Sequence, residues 1–282
     1  MSRSTVRVLG HNDLEQAAAL CAADPVGNAF VAARLPGGLL GGGRLAEVWG
    51  YYEDGRLASL CWFGGNLVPV GVSTAAAADA FAARARRLGR RCSSIFGPAL
   101  GVRAMWDRLR LDWGPARDVR FDQPLMVCRR PLVAPDPSVR RGSRDDLDLI
   151  LPASIAMFTE EIGYSPVAGD GALTYRAGVA EIVDLGRSFV RIDNGLDGPK
   201  VVFKAELGAV TPSVAQIQGV WVVPERRGRG LSAPGVAAVV TAVLREVAPV
   251  ASLYVNAYNT RAMATYERVG FETVARYATV LF

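Results

Sequence analysis

Apolar residues fall along this chain in two periods. From Val220 to Val223 they run without a break and are β-branched or aromatic, the composition of a buried strand, and Pro224 ends the run. From Val236 they recur at Val236, Val239, Val240, Val243, Leu244 and Val247, a helical spacing that tolerates Pro234 only in the first turn. A second apolar strand follows in "SLYV", then a short helical stretch with Ala262 and Tyr266, then Gly270-Phe271. Earlier, the pattern predicts a long helical region around Asp13 to Arg34 and, after the glycine-rich "PGGLLGGG", a hairpin in "VWGYYEDGRLASLCWFG". "SFVRIDNGLDGPKVVFKAELGAV" predicts another, each with Asp or Asn and Gly between alternating strands. "VRVLGHNDL" (Val6 to Leu14) and "VRRGSRDDL" (Val139 to Leu147) share Val-Arg and Asp-Leu at the same offsets, each a strand leading into a helix. The chain therefore predicts two similar α/β units.

The stretch "PERRGRGLS" between the first strand and helix carries the clearest chemistry. Glycines at 228 and 230 let a ligand approach the backbone, and the free N–H groups of the following helix start suit phosphate. Arg226, Arg227 and Arg229 add permanent charge that pairs with phosphate oxygens two bonds at a time. A Walker loop is excluded because no GxxxxGK occurs here. A dinucleotide fingerprint lacks its last glycine, Ala233 standing there, and sits late in the chain. Arg227-Gly-Arg-Gly230-Leu-Ser232 instead resembles the pyrophosphate loop of the GNAT superfamily of acyl-CoA-dependent N-acetyltransferases, with Val220, Val222 and Pro224 matching the strand before it. Serine at 232 departs from the usual Gly or Ala. Downstream, Asn259, Ala262, Tyr266, Gly270 and Phe271 resemble the family's second signature at matching spacing and order.

The first half lacks this chemistry: where a phosphate loop would follow its strands stands "LVPVGVSTAAAADAFAARARRLG", a helix capped by Ser73 or Thr74 with no Arg-Gly run. "SSIFGPALGVRAMWDRLRLDWG" adds a further strand and helix, enough to finish an α/β unit. The whole resembles the tandem arrangement of some actinobacterial GNAT proteins, in which an N-terminal domain of unknown function, a degenerate GNAT-like half, precedes a C-terminal GNAT domain. The implied fold class is α/β (α+β), a tandem GNAT-like fold with mixed, mostly antiparallel sheets flanked by helices. The expected domains are residues 1–131, a proline-rich linker at residues 132–138 and the acetyltransferase domain at residues 139–282.

The resemblance implies acetyl-CoA as cosubstrate and direct attack by a primary amine, of a small molecule or a protein, within a ternary complex. Val220, Trp221 and Val222 would pair with the pantetheine arm. Arg227, Gly228, Arg229, Gly230, Leu231 and Ser232 would hold the pyrophosphate, and Asn259 would also contact the cofactor. Tyr266 matches the acid that protonates the leaving sulfur, although a tyrosine at helical spacing also reads as core, and Asn259 also reads as a helix cap. Gln216 and Gln218 stand where many relatives carry a basic glutamate, so the base is left among Glu206, Glu160, Glu161 and a water relay. A rival reading is a non-catalytic CoA-binding sensor or scaffold, favoured by Ser232 and the missing strand glutamate.

Composition adds exclusions. With 282 residues, half of them hydrophobic, the chain can build sizeable cores. The net charge of +5 suits nucleic acid, but the arginines are spread, as at Arg84, Arg86 and Arg87, without interleaved aromatics, so no nucleic-acid partner is expected. Cys21, Cys61, Cys92 and Cys128 are scattered singly and His11 is the lone histidine, so neither a metal site nor a disulfide framework is expected. "MSRSTVRVLG" has no apolar segment of the signal-peptide kind, and the most apolar later run is cut by Arg245, Glu246 and Pro249. No membrane partner is expected, and the cytoplasm is the expected location.

Overall fold

The computed structural model describes residues 4–37, 46–169, 171–196 and 198–282. Most of the "PGGLLGGG" loop lies outside them. In chain order the elements are β1 (Ser4–Val8), α1 (Leu14–Ala22), α2 (Ala29–Ala32), β2 (Glu47–Glu53), β3 (Arg56–Phe63), β4 (Leu67–Val70), α3 (Ala75–Leu88), β5 (Ser94–Pro98), α4 (Ala99–Leu109) and β6 (Asp118–Cys128). There follow β7 (Arg140–Arg141), α5 (Leu147–Ile162), α6 (Gly171–Asp184), β8 (Ser188–Gly195), β9 (Gly198–Val210), β10 (Ala215–Val222), α7 (Ser232–Glu246), β11 (Ala251–Tyr254), α8 (Thr260–Val269) and β12 (Glu272–Leu281). This is a mixed α/β protein whose sheet is mostly antiparallel and flanked by helices.

The chain forms two compact units. The first joins Met1–Leu125 with Tyr254–Tyr258 and Thr273–Phe282, and the second joins Met126–Leu253 with Asn259–Glu272. The linear boundary read from the sequence thus differs from the spatial one. In the first unit β12 pairs antiparallel with β5, from Tyr277 opposite Pro98 to Leu281 opposite Ser94. The segment at residues 132–138 is no free spacer either. Leu132 N–H donates to Val269 O (2.8 Å), Asp136 N–H to Pro234 O (3.0 Å), and Asp136 receives Arg191 at 2.9 Å, all within the second unit.

In the first unit, alternate strand residues pack on opposite faces. Trp49, Cys61 and Phe63 join Phe81 of α3 and Met105 of α4, while Val48, Leu60 and Trp62 join Ala17 and Cys21 of α1. Burial on both faces explains why these strands read as nearly continuous apolar runs. The long helical region around Asp13 to Arg34 is broken into α1 and α2, because Pro25 cannot extend a helix and Asp24 turns the chain by accepting from Gly27 N–H (2.8 Å). The hairpin of β2 and β3 turns at Asp54-Gly55 between the pair Glu53 and Arg56. In the second unit, β8 and β9 pair out to Gly195 opposite Gly198.

The sequence repeat has a structural counterpart. Arg7 donates two bonds to Asp13 (2.7 and 2.6 Å), whose carboxylate also accepts from Gly10 N–H (2.8 Å). In the second unit Arg140 grips Asp146 (2.7 and 2.8 Å), and Asp146 accepts from Ser143 N–H (2.8 Å). The shared Val-Arg and Asp-Leu therefore mark one device used twice, an arginine on a strand that clamps the aspartate opening the next helix. Thr74, not Ser73, caps α3, its Oγ1 accepting from Ala77 N–H (3.2 Å).

Candidate functional site

β10 organises the site through an irregularity. Against β9 its register runs Gln218 to Glu206 and then Trp221 to Lys204, so one extra residue bulges from the strand. The bulge passes through Gly219 at φ +59°, where a Cβ would stand 3.2 Å from Met157 Cε and 3.4 Å from Glu206 Oε2. Only glycine takes this conformation and this crowding without strain. On its other edge β10 pairs with parallel β11 at Ala215 with Ala251 and Gln216 with Ser252. Beyond Gln216 no pairing with β11 continues among the described residues. The edge carrying Val220, Trp221 and Val222 is therefore left without ladder partners on the β11 side among the described residues.

The chain then turns through Pro224–Arg226 into the glycine loop, and Ser232 opens α7. Gly228 and Gly230 have φ of +75° and +78°, with open space where a side chain would point. Among the described residues, nothing accepts from the backbone N–H groups of residues 228–233, and Gly235 N–H makes the first bond of the helix, to Leu231 O (3.1 Å). These donors lie at the N-terminal, positive end of α7. Arg226 and Arg229 are exposed and pair with no acid among the described residues. Arg227 is tethered: Nε donates to Val222 O (2.9 Å), and one terminal nitrogen reaches both oxygens of Glu160 (2.7 and 3.0 Å). Trp221 Nε1 donates to the same carboxylate at 3.1 Å.

The downstream signature builds a capped helix. Asn259 Oδ1 accepts from Ala262 N–H (3.1 Å) at the start of α8. At its end the N–H groups of Gly270 and Phe271 donate to the carbonyls of Glu267 and Tyr266, both at 3.0 Å, with Gly270 left-handed. Tyr266 is buried, its ring edge-on to Phe271 at 5.8 Å. Burial first, and the charge of Glu161 second, push its phenol well above the ordinary range, which keeps it protonated. Glu160 at the end of α5 faces the Arg227 loop.

A cavity of about 650 Å³ opens beside the bulge, between α5, α6 and the sheet. Its lining includes Met157, Phe158, Tyr164, Tyr175, Gln218 and Glu206. Glu206 Oε1 receives Lys204 Nζ at 2.5 Å, and Lys204 is fully buried. Oε2 has no partner among the described residues. Lys204, Gly219 and the aromatic wall were not singled out from the sequence. The signal for Lys204 was present, since a lysine inside the apolar run "VVFKAEL" shares a strand face with the glutamate two residues on. Groups of three or more residues able to hold a metal ion are absent among the described residues.

The first unit has the corresponding strands without the corresponding loop. β4 and β5 are parallel and pair at Leu67 with Ile95, but Thr74 spends its hydroxyl capping α3, and α4 lies so close to β4 that a Cβ on Gly101 would be 3.1 Å from the Pro69 ring.

The fold is shared with GNAT acetyltransferases of known structure. The solved structures of similar fold include a GNAT-family acetyltransferase from Colwellia psychrerythraea (13% identity, 99% of each chain, TM-score 0.60). A tandem GNAT protein from the clavulanic acid biosynthesis pathway also matches (16% identity, 99% of this chain and 98% of that one, TM-score 0.60). A GCN5-related N-acetyltransferase from Sphaerobacter thermophilus does too (18% identity, 98% and 94%, TM-score 0.60). Residues 203–280 match the FR47-like protein family, and residues 46–150 match a domain of unknown function, DUF4081. A search of curated proteins returns no match. No helix among the described residues is long and apolar enough to cross a membrane.

Proposed function

We propose that this protein is an acetyl-CoA-dependent N-acetyltransferase that modifies a primary amine, and that its second unit alone holds the cosubstrate. The observation that carries this reading is the open edge of β10 leading directly into the row of N–H groups at residues 228–233 that have no protein acceptor. That row and Arg227 and Arg229 suit a pyrophosphate, and the peptide groups of Val220, Trp221 and Val222 suit the amides of a pantetheine arm. Leu231 and Ser232 complete the turn, and Asn259, which caps α8, is the further residue proposed to contact the cofactor.

In the proposed reaction the amine nitrogen forms a bond to the acyl carbon and the carbon–sulfur bond breaks. The amine gives up a proton to Glu206, whose free Oε2 is held in place by the Lys204 contact on Oε1. The leaving thiolate takes a proton from Tyr266, and backbone N–H groups of β10 stabilise the charge that develops on the carbonyl oxygen. Glu206 is preferred to the other carboxylates because it lines the cavity and stands directly across the strand pair from Gln218, whereas Glu160 is engaged by Arg227 and Trp221. A base missing from one strand is thereby supplied by its neighbour, which favours a transferase over a CoA sensor. Because acetyl-CoA is a cytoplasmic metabolite, the cytoplasm is the proposed place of work. The test is thiol release from acetyl-CoA in the presence of a panel of amines: amine-dependent turnover is expected, and tight acetyl-CoA binding without turnover of any amine would favour the sensor.

A further inference from the structure

The cavity beside β10 has a chemical character of its own. Its wall is a run of rings: Phe158 packs edge-on to Tyr164 (5.6 Å) and to Tyr175 (5.7 Å), and Tyr175 is pinned by donating its hydroxyl to Ser154 O (2.9 Å). Met157, Val179 and Ile182 continue the apolar surface, and the carboxylates lining it among the described residues are Glu206 on the sheet and Glu181 on α6. The volume of about 650 Å³ lies within the range of small-molecule sites, which are largely apolar with a few placed polar groups.

One residue sets how much of that space is free. Thr174, Tyr175, Gly178, Glu181 and Ile182 of α6 fall at three- and four-residue spacing on one helix face, and that face lines the cavity. Gly178 is the member without a side chain. It sits mid-helix, where glycine is disfavoured relative to almost any other residue, and no atom lies within 4 Å of where its Cβ would be. Neither a left-handed backbone nor close packing explains the glycine. Gly178 is exposed on the cavity-lining face of α6, and its absent side chain leaves that part of the cavity open.

Resting on the acetyl-transfer reading, we propose that this cavity is the acceptor pocket for a small primary amine with an aromatic or branched aliphatic body, and that Gly178 determines the size of body accepted. The amine nitrogen is drawn toward Glu206 on the floor while the body lies against Phe158, Tyr164 and Tyr175. Polyhydroxylated or multiply charged acceptors would set polar groups against Met157, Phe158, Val179 and Ile182, which cannot pair with them, a mismatch that discriminates strongly.

The experiment uses the full chain and acetyl-CoA with 2-phenylethylamine, isoamylamine, propylamine, glucosamine, spermidine and a lysine peptide, for the wild type and Gly178→Leu. Leucine at 178 has open space and a better helix propensity, so the variant is expected to melt no lower than the wild type. The wild type is expected to prefer 2-phenylethylamine or isoamylamine over the polar acceptors by about 10-fold or more in kcat/KM. In Gly178→Leu the ratio of kcat/KM for 2-phenylethylamine to that for propylamine should fall by about 10-fold or more, through KM, with the acetyl-CoA dissociation constant unchanged by calorimetry. If acetyl transfer occurs but polar amines or the lysine peptide are preferred, or if Gly178→Leu leaves that ratio unchanged, the pocket assignment is overturned and the transferase reading stands. If acetyl-CoA does not bind or no amine is acetylated, both fall together.

Discussion

Tyr266 and Glu206 divide the proposed proton chemistry between a group kept protonated by burial and a carboxylate with one free oxygen. Tyr266→Phe is expected to keep acetyl-CoA affinity and lower kcat by about 10²-fold, the scale of general acid catalysis; full turnover in this variant returns Tyr266 to a packing role against Phe271. Glu206→Gln should likewise lower kcat by about 10²-fold at neutral pH while cofactor binding holds, and an unaffected rate would move the base elsewhere. These two residues also show what a sequence can carry. The helix that carries Tyr266 was legible because its cap and its end depend on spacing within one element, from Asn259 to Phe271. Glu206 could only be one of several candidates, because its standing rests on a cross-strand register opposite Gln218 that no local pattern contains. The tether of Arg227 to Glu160, 67 residues away, was not foreseeable from the loop pattern that drew attention to the arginine.

At the scale of single elements, irregularities matter more than regular structure. Gly219→Ala places a side chain at φ +59° against Met157 and Glu206, and should destabilise the protein by about 1–2 kcal/mol while lowering turnover, measured by denaturant melts and steady-state kinetics. Wild-type stability and rate in that variant would mean that the bulge is not needed to position Glu206. The paired helix starts make a second prediction. Hydrogen bonds from Arg7 and Arg140 hold Asp13 and Asp146 well below the usual carboxylate range. Their stabilising effect is therefore full above the unfolded carboxylate value near pH ~4 and is lost as the pH falls through the folded values. Asp146→Asn should cost about 2 kcal/mol at neutral pH and progressively less in acid, read from melts across pH 2–7. The repeat was visible as four shared letters; that they form a clamp depends on strand and helix meeting at an angle, which letters do not show. The proline-rich residues 132–138 misled for a similar reason: proline and glycine signal loss of regular structure, not loss of contacts, and Asp136 is held by Arg191.

For the molecule as a whole, the order of elements was legible and the path of the chain was not. Each half predicts strands, helices and a hairpin from its own pattern, yet β12 at the C-terminus belongs to the first unit, where Tyr277, Ala278 and Val280 are at most 1% exposed. Removing residues 273–282 should unfold the first unit, since each large buried side chain contributes about 1.5–3 kcal/mol to a total stability of about 5–15 kcal/mol. A fragment cut near Pro135 keeps β12 without β5 and is expected to be poorly soluble, so the cofactor assignment is better tested on the intact chain. The central claim is that one unit of two holds acetyl-CoA, at the loop after β10. Its most direct test is calorimetric titration of acetyl-CoA into the intact protein and into Gly230→Val. The account predicts one site per chain in the wild type and no detectable site in the variant; two sites per chain, or a single site untouched by Gly230→Val, would contradict it.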